Sequence, residues 1–130
     1  CQKLIPVLCP QCKTSLRTTA IKGREFQLYE KNAEGCPACK HTGIGGRQLV
    51  MEYLLPVYDE LEAIAEQKWL KVYTVWRAKR LKQTGLSEGF EIKEKTMAAV
   101  LQGRVCATWF QMEFGQVVQE ELEVIVEKIR

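Results

Sequence analysis

Four of the six cysteines stand in two pairs, Cys9-Pro10-Gln11-Cys12 and Cys36-Pro37-Ala38-Cys39. This C-x2-C…C-x2-C spacing is that of a structural zinc site. Two residues between cysteines let the chain turn back so that both thiolates reach one ion, with backbone N–H groups pointing at the sulfurs. Two such knuckles complete a tetrahedron of Zn–S bonds of about 2.3 Å. Gly35 before the second pair and Gly43, Gly45 and Gly46 after it suit the turns a knuckle needs. Cys9, Cys12, Cys36 and Cys39 are therefore the candidate ligands of one structural zinc ion.

Other cysteine chemistries fit less well. A dithiol redox pair wants a single C-x-x-C between a strand and a helix, with a lowered thiolate pKa. Here there are two pairs, and a proline follows each first cysteine. Structural disulfides need an oxidising compartment, and no signal peptide is recognisable at the start of the chain. His41 lies two residues past Cys39 and, with four thiolates available, reads as a bystander or as a hydrogen-bond donor outside the ligand set. Cys1 and Cys106 have no partner at ligand spacing. Cys106, between Val105 and Ala107, reads as a small buried hydrophobe.

The elements that must position these cysteines are partly readable. Residues 2–8 are apolar with Pro6 near the middle, an irregular or extended approach to the first knuckle. Residues 24–30 alternate, with Phe26 and Leu28 on one face, as a short strand or a turn of helix. Residues 47–54 alternate more clearly and predict a strand leaving the second knuckle. Residues 13–35, between the pairs, read as a loop too polar to pack by itself. A long helix is expected over 59–84, with Asp59 as N-cap, Glu62 completing a capping box and Gly85 as the stop. Its apolar positions are Leu61, Ile64, Ala65, Trp69, Val72 and Trp76. Trp69, Trp76 and Trp109 read as core aromatics.

A second helix covers about 91–102, with Met97, Val100 and Leu101 inward and Gly103 beyond its end. Thr108 and Gln111 suggest a further capping box, opening a short helix through Phe114 that Gly115 ends. The tail fits helix spacing through Val118, Leu122, Ile125 and Ile129, and strand spacing through Leu122, Val124 and Val126; its length and Glu/Lys content favour helix. The fold class is therefore α+β: a small tetracysteine knuckle with short strands, then a mainly helical segment. The domain boundary is placed between 1–55, the zinc-binding part, and 56–130, the helical part.

With 130 residues, 46% hydrophobic and 27% charged, the chain is long enough for a modest core and is not a disordered tail. Its longest uncharged apolar stretch, Tyr53 to Tyr58, is too short to span a bilayer. A net charge of +3 does not by itself argue for nucleic acid. Lys68, Lys71, Arg77, Lys79, Arg80 and Lys82 crowd one segment, while Glu120, Glu121, Glu123 and Glu127 mark the tail. The basic segment is read first as a solvated face. The run Leu54–Glu60 imitates an apolar nucleotide-site strand ending in Asp-Glu, but Pro56 is poorly placed in a central strand and no G-x-x-x-x-G-K-[ST] loop exists to hold phosphates. With no initiator Met, Cys1-Gln2-Lys3 reads as a cut through a longer chain.

The string Gly35-Cys36-Pro37-Ala38-Cys39-Lys40-His41-Thr42-Gly43-Ile44-Gly45-Gly46-Arg47-Gln48-Leu49-Val50-Met51-Glu52 resembles the tetracysteine region of the GspE/PilB-type ATPases of type II secretion and type IV pilus assembly. That family carries Gly-Cys-x-x-Cys-x-x-Thr-Gly-(aromatic)-x-Gly-Arg-x-x-(apolar)-x-Glu after an upstream C-x-x-C. Gln2-Lys3-Leu4-Ile5-Pro6-Val7-Leu8-Cys9-Pro10-Gln11-Cys12 is similar to the family's approach to the upstream pair, with Lys3 for an arginine. Ile44 replaces the usual aromatic. Residues 57–115 are similar to the family's helical C-terminal segment only in pattern.

The resemblance implies a cytoplasmic hexameric motor docked on an inner-membrane platform protein. Its ATP and magnesium site would lie in the parent chain, upstream of Cys1, so no residue here is assigned a catalytic role and the fragment itself is not expected to be an enzyme. Arg47, in the Gly-Arg motif, would sense nucleotide or a neighbouring subunit, or make a structural salt bridge. Two other classes compete. A zinc-ribbon module binding nucleic acid would use the basic helix and show steep salt dependence; the interleaved acidic residues count against it, and no nucleic-acid partner is expected. A DnaJ-type chaperone module would need four tandem cysteine repeats, and this chain has two pairs.

Overall fold

The computed structural model describes residues 1–129. Strand β1 (Gln2–Leu8) pairs antiparallel with β4 (Ile44–Met51), and β2 (Thr14–Ile21) forms a hairpin with β3 (Arg24–Glu30). Five helices follow: α1 (Tyr58–Ala65), α2 (Trp69–Ala78), α3 (Ile92–Leu101), α4 (Ala107–Phe114) and α5 (Gln119–Lys128). Short 3-10 turns cover Pro37–Cys39 and Lys79–Lys82. The α+β class, with short strands first and helices after, holds.

The β1–β4 register explains why the two cysteine pairs meet. Leu8, the last residue of β1, lies opposite Ile44, the first of β4. The chain thus leaves β1 into the first knuckle and enters β4 from the second, at one end of one ladder. Residues 2–8 are regular strand despite Pro6, because this sheet has only two strands and a proline can sit on the side that needs no ladder bond.

The short strand expected at 24–30 is present as β3, whereas the reading of the 13–35 loop as too polar to pack by itself is corrected. These residues form the β2–β3 hairpin, whose turn places Lys22 and Gly23 in the left-handed region, at φ 51° and 75°, as a two-residue hairpin turn requires. Its inward residues Ile21, Phe26 and Leu28 join Ile5 and Val50 of the other ladder against Ala98–Leu101, Val105, Phe110, Ile125, Val126 and Ile129. The hydrophobic core therefore lies between the strands and helices α3, α4 and α5.

The single long helix over 59–84 is also corrected. It breaks into α1 and α2 at Gln67, which has a φ of 57°. The cap lies two residues earlier than expected: the Glu60 carboxylate accepts the Val57 N–H at 3.0 Å, so the box is 57/60 rather than 59/62. Leu61 and Trp69, expected inward, are 53% and 62% exposed, whereas Trp76 is buried. Helices α3, α4 and α5 lie near their expected bounds, with Gly103 and Gly115 at positive φ beyond α3 and α4. The cap of α4 is Cys106 and not Thr108: its Sγ accepts the Trp109 N–H at 3.5 Å. Cys106 is buried as expected but has this polar task as well.

Candidate metal centre

The four sulfurs of Cys9, Cys12, Cys36 and Cys39 all lie within 4.8 Å of one another. Sγ separations are 3.7 Å for Cys9–Cys36, 3.8 Å for Cys12–Cys39 and 3.8 Å for Cys36–Cys39. A tetrahedron with Zn–S bonds of about 2.3 Å has edges of about 3.8 Å. The donor set and its spacing therefore fit a tetrahedral thiolate-bound ion. Cys9 and Cys39 are buried and the other two are partly exposed, so the cluster sits just under the surface.

The second knuckle is the better built. The N–H groups of Cys36 and Gly43 donate to Cys39 Sγ at 3.3 and 3.2 Å. Reaching that sulfur forces the backbone through the left-handed region at Lys40, His41 and Gly43. A Cβ on Gly43 would come within 2.6 Å of the Asn32 carbonyl, and one on Gly35 within 2.3 Å of the His41 backbone. Both glycines are thus required by close approach as well as by φ. The two knuckles are joined by the Cys9 N–H, which donates to the Gly43 carbonyl at 3.0 Å.

Cys12 and Cys39 are shifted in opposite directions. Burial pushes the Cys12 thiol up to about 12, and the thiols of Cys36, Cys9 and Cys39 add to this. Burial also raises Cys39, but the N–H donors of Cys36 and Gly43 outweigh it and bring that thiol down to about 5. Four thiolates at this spacing repel one another, and a divalent cation is the group that relieves the repulsion.

The family model described as type II/IV secretion system protein matches residues 1–106. The chain belongs to that family. A stretch of 69 residues is 35% identical to the type II secretion system ATPase E of Vibrio cholerae, covering 48% of this chain and 14% of that protein. This secretion-family chain thus spans about a seventh of that relative's length. No solved structure matches it.

Several residues of the secretion-family string now have physical tasks that spacing alone did not disclose. The Thr42 hydroxyl donates to the Cys39 carbonyl at 2.7 Å and accepts the Ile44 N–H at 3.2 Å, fixing the exit from the second knuckle. Glu52 Oε1 accepts the Ile92 N–H at 2.7 Å, so the last residue of the string holds the start of α3. Lys13, next to Cys12, donates to the Gly103 carbonyl at 2.8 Å and lies 4.0 Å from the centre of the Tyr29 ring, clipping the first knuckle to the end of α3. Its position directly after a ligand was the only sequence signal for that role. Arg47 is exposed on β4 and makes no ion pair among the described residues, so the salt-bridge reading for it is not supported here. The backbone N–H of His41 donates to the Cys36 carbonyl at 2.9 Å, and its side chain is not part of the cluster.

Three of the six basic residues in the segment from Lys68 to Lys82 are ion-paired within the fold. Arg77 pairs with Glu94 and approaches Glu91 and Glu121 at 4.0 and 3.8 Å. Lys79 bridges Glu60 and Glu88, and Lys68 pairs with Glu66 at 2.7 Å. Among the described residues, no helix is long and apolar enough to cross a membrane.

Proposed function

We propose that Cys9, Cys12, Cys36 and Cys39 hold one structural zinc ion, and that this chain is the zinc-binding C-terminal part of a cytoplasmic secretion or pilus-assembly ATPase. The observation that carries this reading is a four-sulfur cluster at tetrahedral edge spacing inside a chain of the secretion family. When bound, zinc supplies charge neutralisation and a rigid cross-link, and its binding free energy becomes folding free energy. The role is structural and partner-docking rather than catalytic. ATP and magnesium belong to the parent chain, which works as a hexamer on the cytoplasmic face of the inner membrane and docks there on a platform protein.

The chain's own residues carry a stiff path from the cluster. The cysteines join the ends of β1 and β4, Lys13 ties the first knuckle to Gly103, and the Leu8 N–H donates to the Arg104 carbonyl at 2.8 Å. Anything that holds the knuckles therefore also holds the turn between α3 and α4. The nucleic-acid reading is weakened because Arg77 and Lys79, central in the basic segment, are already paired with buried glutamates.

The test is Cys36→Ser in the full-length parent, with zinc content, platform binding and secretion measured together. Loss of zinc with loss of docking and secretion is the expected result. Loss of zinc with both functions unchanged would overturn the docking role, and retained zinc at full occupancy would overturn the ligand assignment.

A further inference from the structure

Strand β2 carries an arginine where its alternation calls for an apolar residue. Arg17, Thr19 and Ile21 fall on one face of the strand. Ile21 is buried in the core on that face, and Arg17 lies directly opposite buried Leu28 of β3, so its side chain leaves the sheet on the core side. Beside it is a cleft of about 190 Å³, walled by Ile21, Leu28, Val100, Leu101, Phe110 and Leu122. The first five of these are core residues, none more than 6% exposed. Arg17, Gln111 and Gln116 are exposed and form the rim.

Protein interiors hold few voids larger than a water molecule, and an apolar cavity of about 150 Å³ stays dry and takes up benzene. The cleft between β2, β3 and α3–α5 exceeds that size and has room for an acyl chain of roughly eight carbons. Its charge is confined to the rim and is positive. Among the described residues the lining includes no acidic side chain, and Arg17 makes no ion pair. A second cation stands behind the rim, where Lys93 Nζ donates to the Gln116 carbonyl at 2.6 Å.

From an unpaired guanidinium at the mouth of an apolar cleft, we infer that the cleft binds a medium-chain carboxylate, with its hydrocarbon among Leu28, Val100, Leu101 and Phe110 and its carboxylate on Arg17. The planar fork of a guanidinium meets a carboxylate with two parallel N–H···O bonds. A neutral ligand of the same shape fills the cleft but leaves Arg17 unmatched, and a cation is repelled. A chain much longer than this does not fit with its charged end at the rim, which separates a free medium-chain acid from the long acyl chains of a membrane lipid. Because the walls come from β2, β3, α3, α4 and α5, the occupant ties the hairpin to the helices.

The test is an NMR titration of the metal-loaded chain with octanoate, following the methyl signals of Leu28, Val100 and Leu101, with exposed Leu70 and Leu81 as references. Octanol supplies the same chain without the charge, and dodecanoate the same charge on a longer chain. The expected result is a saturable shift of the three cleft residues with octanoate, with dodecanoate binding no tighter. Octanol should bind roughly fivefold more weakly, as should octanoate to Arg17→Gln, the size of an exposed ion pair. Because Arg17 is exposed, that variant is expected to retain the fold and to bind octanol as the wild type does, and the octanol comparison needs no variant at all. No saturable shift, equal shifts at the reference residues, octanol binding as tightly as octanoate, or unchanged octanoate binding in Arg17→Gln would each overturn the assignment. Tighter binding of dodecanoate would overturn its restriction to a free medium-chain acid.

Discussion

Two regions of this molecule lie beside the main core and are ordered by opposite means. In the knuckles, residues 9–12 and 36–45, little hydrocarbon is buried; backbone N–H donors and four sulfurs converge on one point. In the α1–α2 hairpin the buried side chains are Ala63, Trp76 and the carboxylate of Glu60, and order comes from dispersed ion pairs. Lys79 holds Glu60 and Glu88 together, the Leu55 N–H donates to Glu88, and Arg77 joins α2 to Glu94 of α3. A convergent site fails as a unit when one ligand is lost, whereas dispersed pairs fail one at a time. The knuckles are therefore suited to rigidity and the hairpin to adjustment.

The comparison is broken most forcefully at the metal. Cys39→Ser removes the sulfur that receives two N–H donors and should abolish zinc binding. The destabilisation expected is more than about 3 kcal/mol, because metal binding and local folding are one event. Denaturant unfolding with and without chelator checks this, and only the wild type should respond to the chelator.

The next effect belongs to the hairpin. Arg77→Met leaves Glu94, which is 1% exposed, without its guanidinium. Removing one partner of a buried pair costs about 3 kcal/mol. Here hydrogen exchange should rise in α1 and α2 while zinc content stays at one ion per chain. If zinc were lost in this variant, the two regions would not be independent.

Gly35→Ala sharpens the knuckle side without touching a ligand. Its Cβ would meet the His41 backbone at 2.3 Å, and the position has a φ of 64°. Strain of about 2 kcal/mol is expected, read as weaker zinc affinity in a competition titration with unchanged stoichiometry.

The smallest effect is the pH response of the hairpin. Burial lowers the Lys79 pKa, but Glu60 and Glu88 outweigh it and hold it above the ordinary 10.5. A raised lysine pKa contributes stability that is complete below 10.5 and is lost as pH climbs through the folded-state value. Thermal unfolding should therefore show this contribution intact at neutral pH and fading only in the strongly alkaline range. Lys79→Met should remove that alkaline dependence.

What the sequence disclosed follows the same division. Cysteine spacing is local chemistry, so the four sulfurs were readable and did converge. The ends of α3 and α4 were readable because Gly103 and Gly115 mark them. Alternation at Phe26 and Leu28 made β3 readable, but its partner β2 was missed because its outward face is polar, and only Lys22-Gly23 between Ile21 and Arg24 signalled a two-residue turn. The long helix was misread because its break at Gln67 is imposed by tertiary packing: Lys79 must fold back to reach Glu60. Apolar periodicity ran straight through that break and placed Leu61 and Trp69 inside, where the hairpin leaves them exposed. Ion pairs between distant helices leave no periodic trace.

The central claim is that one ion organises the knuckles, and metal content per chain during titration with a thiol reagent tests it most directly. The account predicts one zinc per chain, released as the four thiols Cys9, Cys12, Cys36 and Cys39 react, with loss of order in the turn between α3 and α4. A metal-free chain of unchanged stability, with the two pairs oxidised, would contradict it.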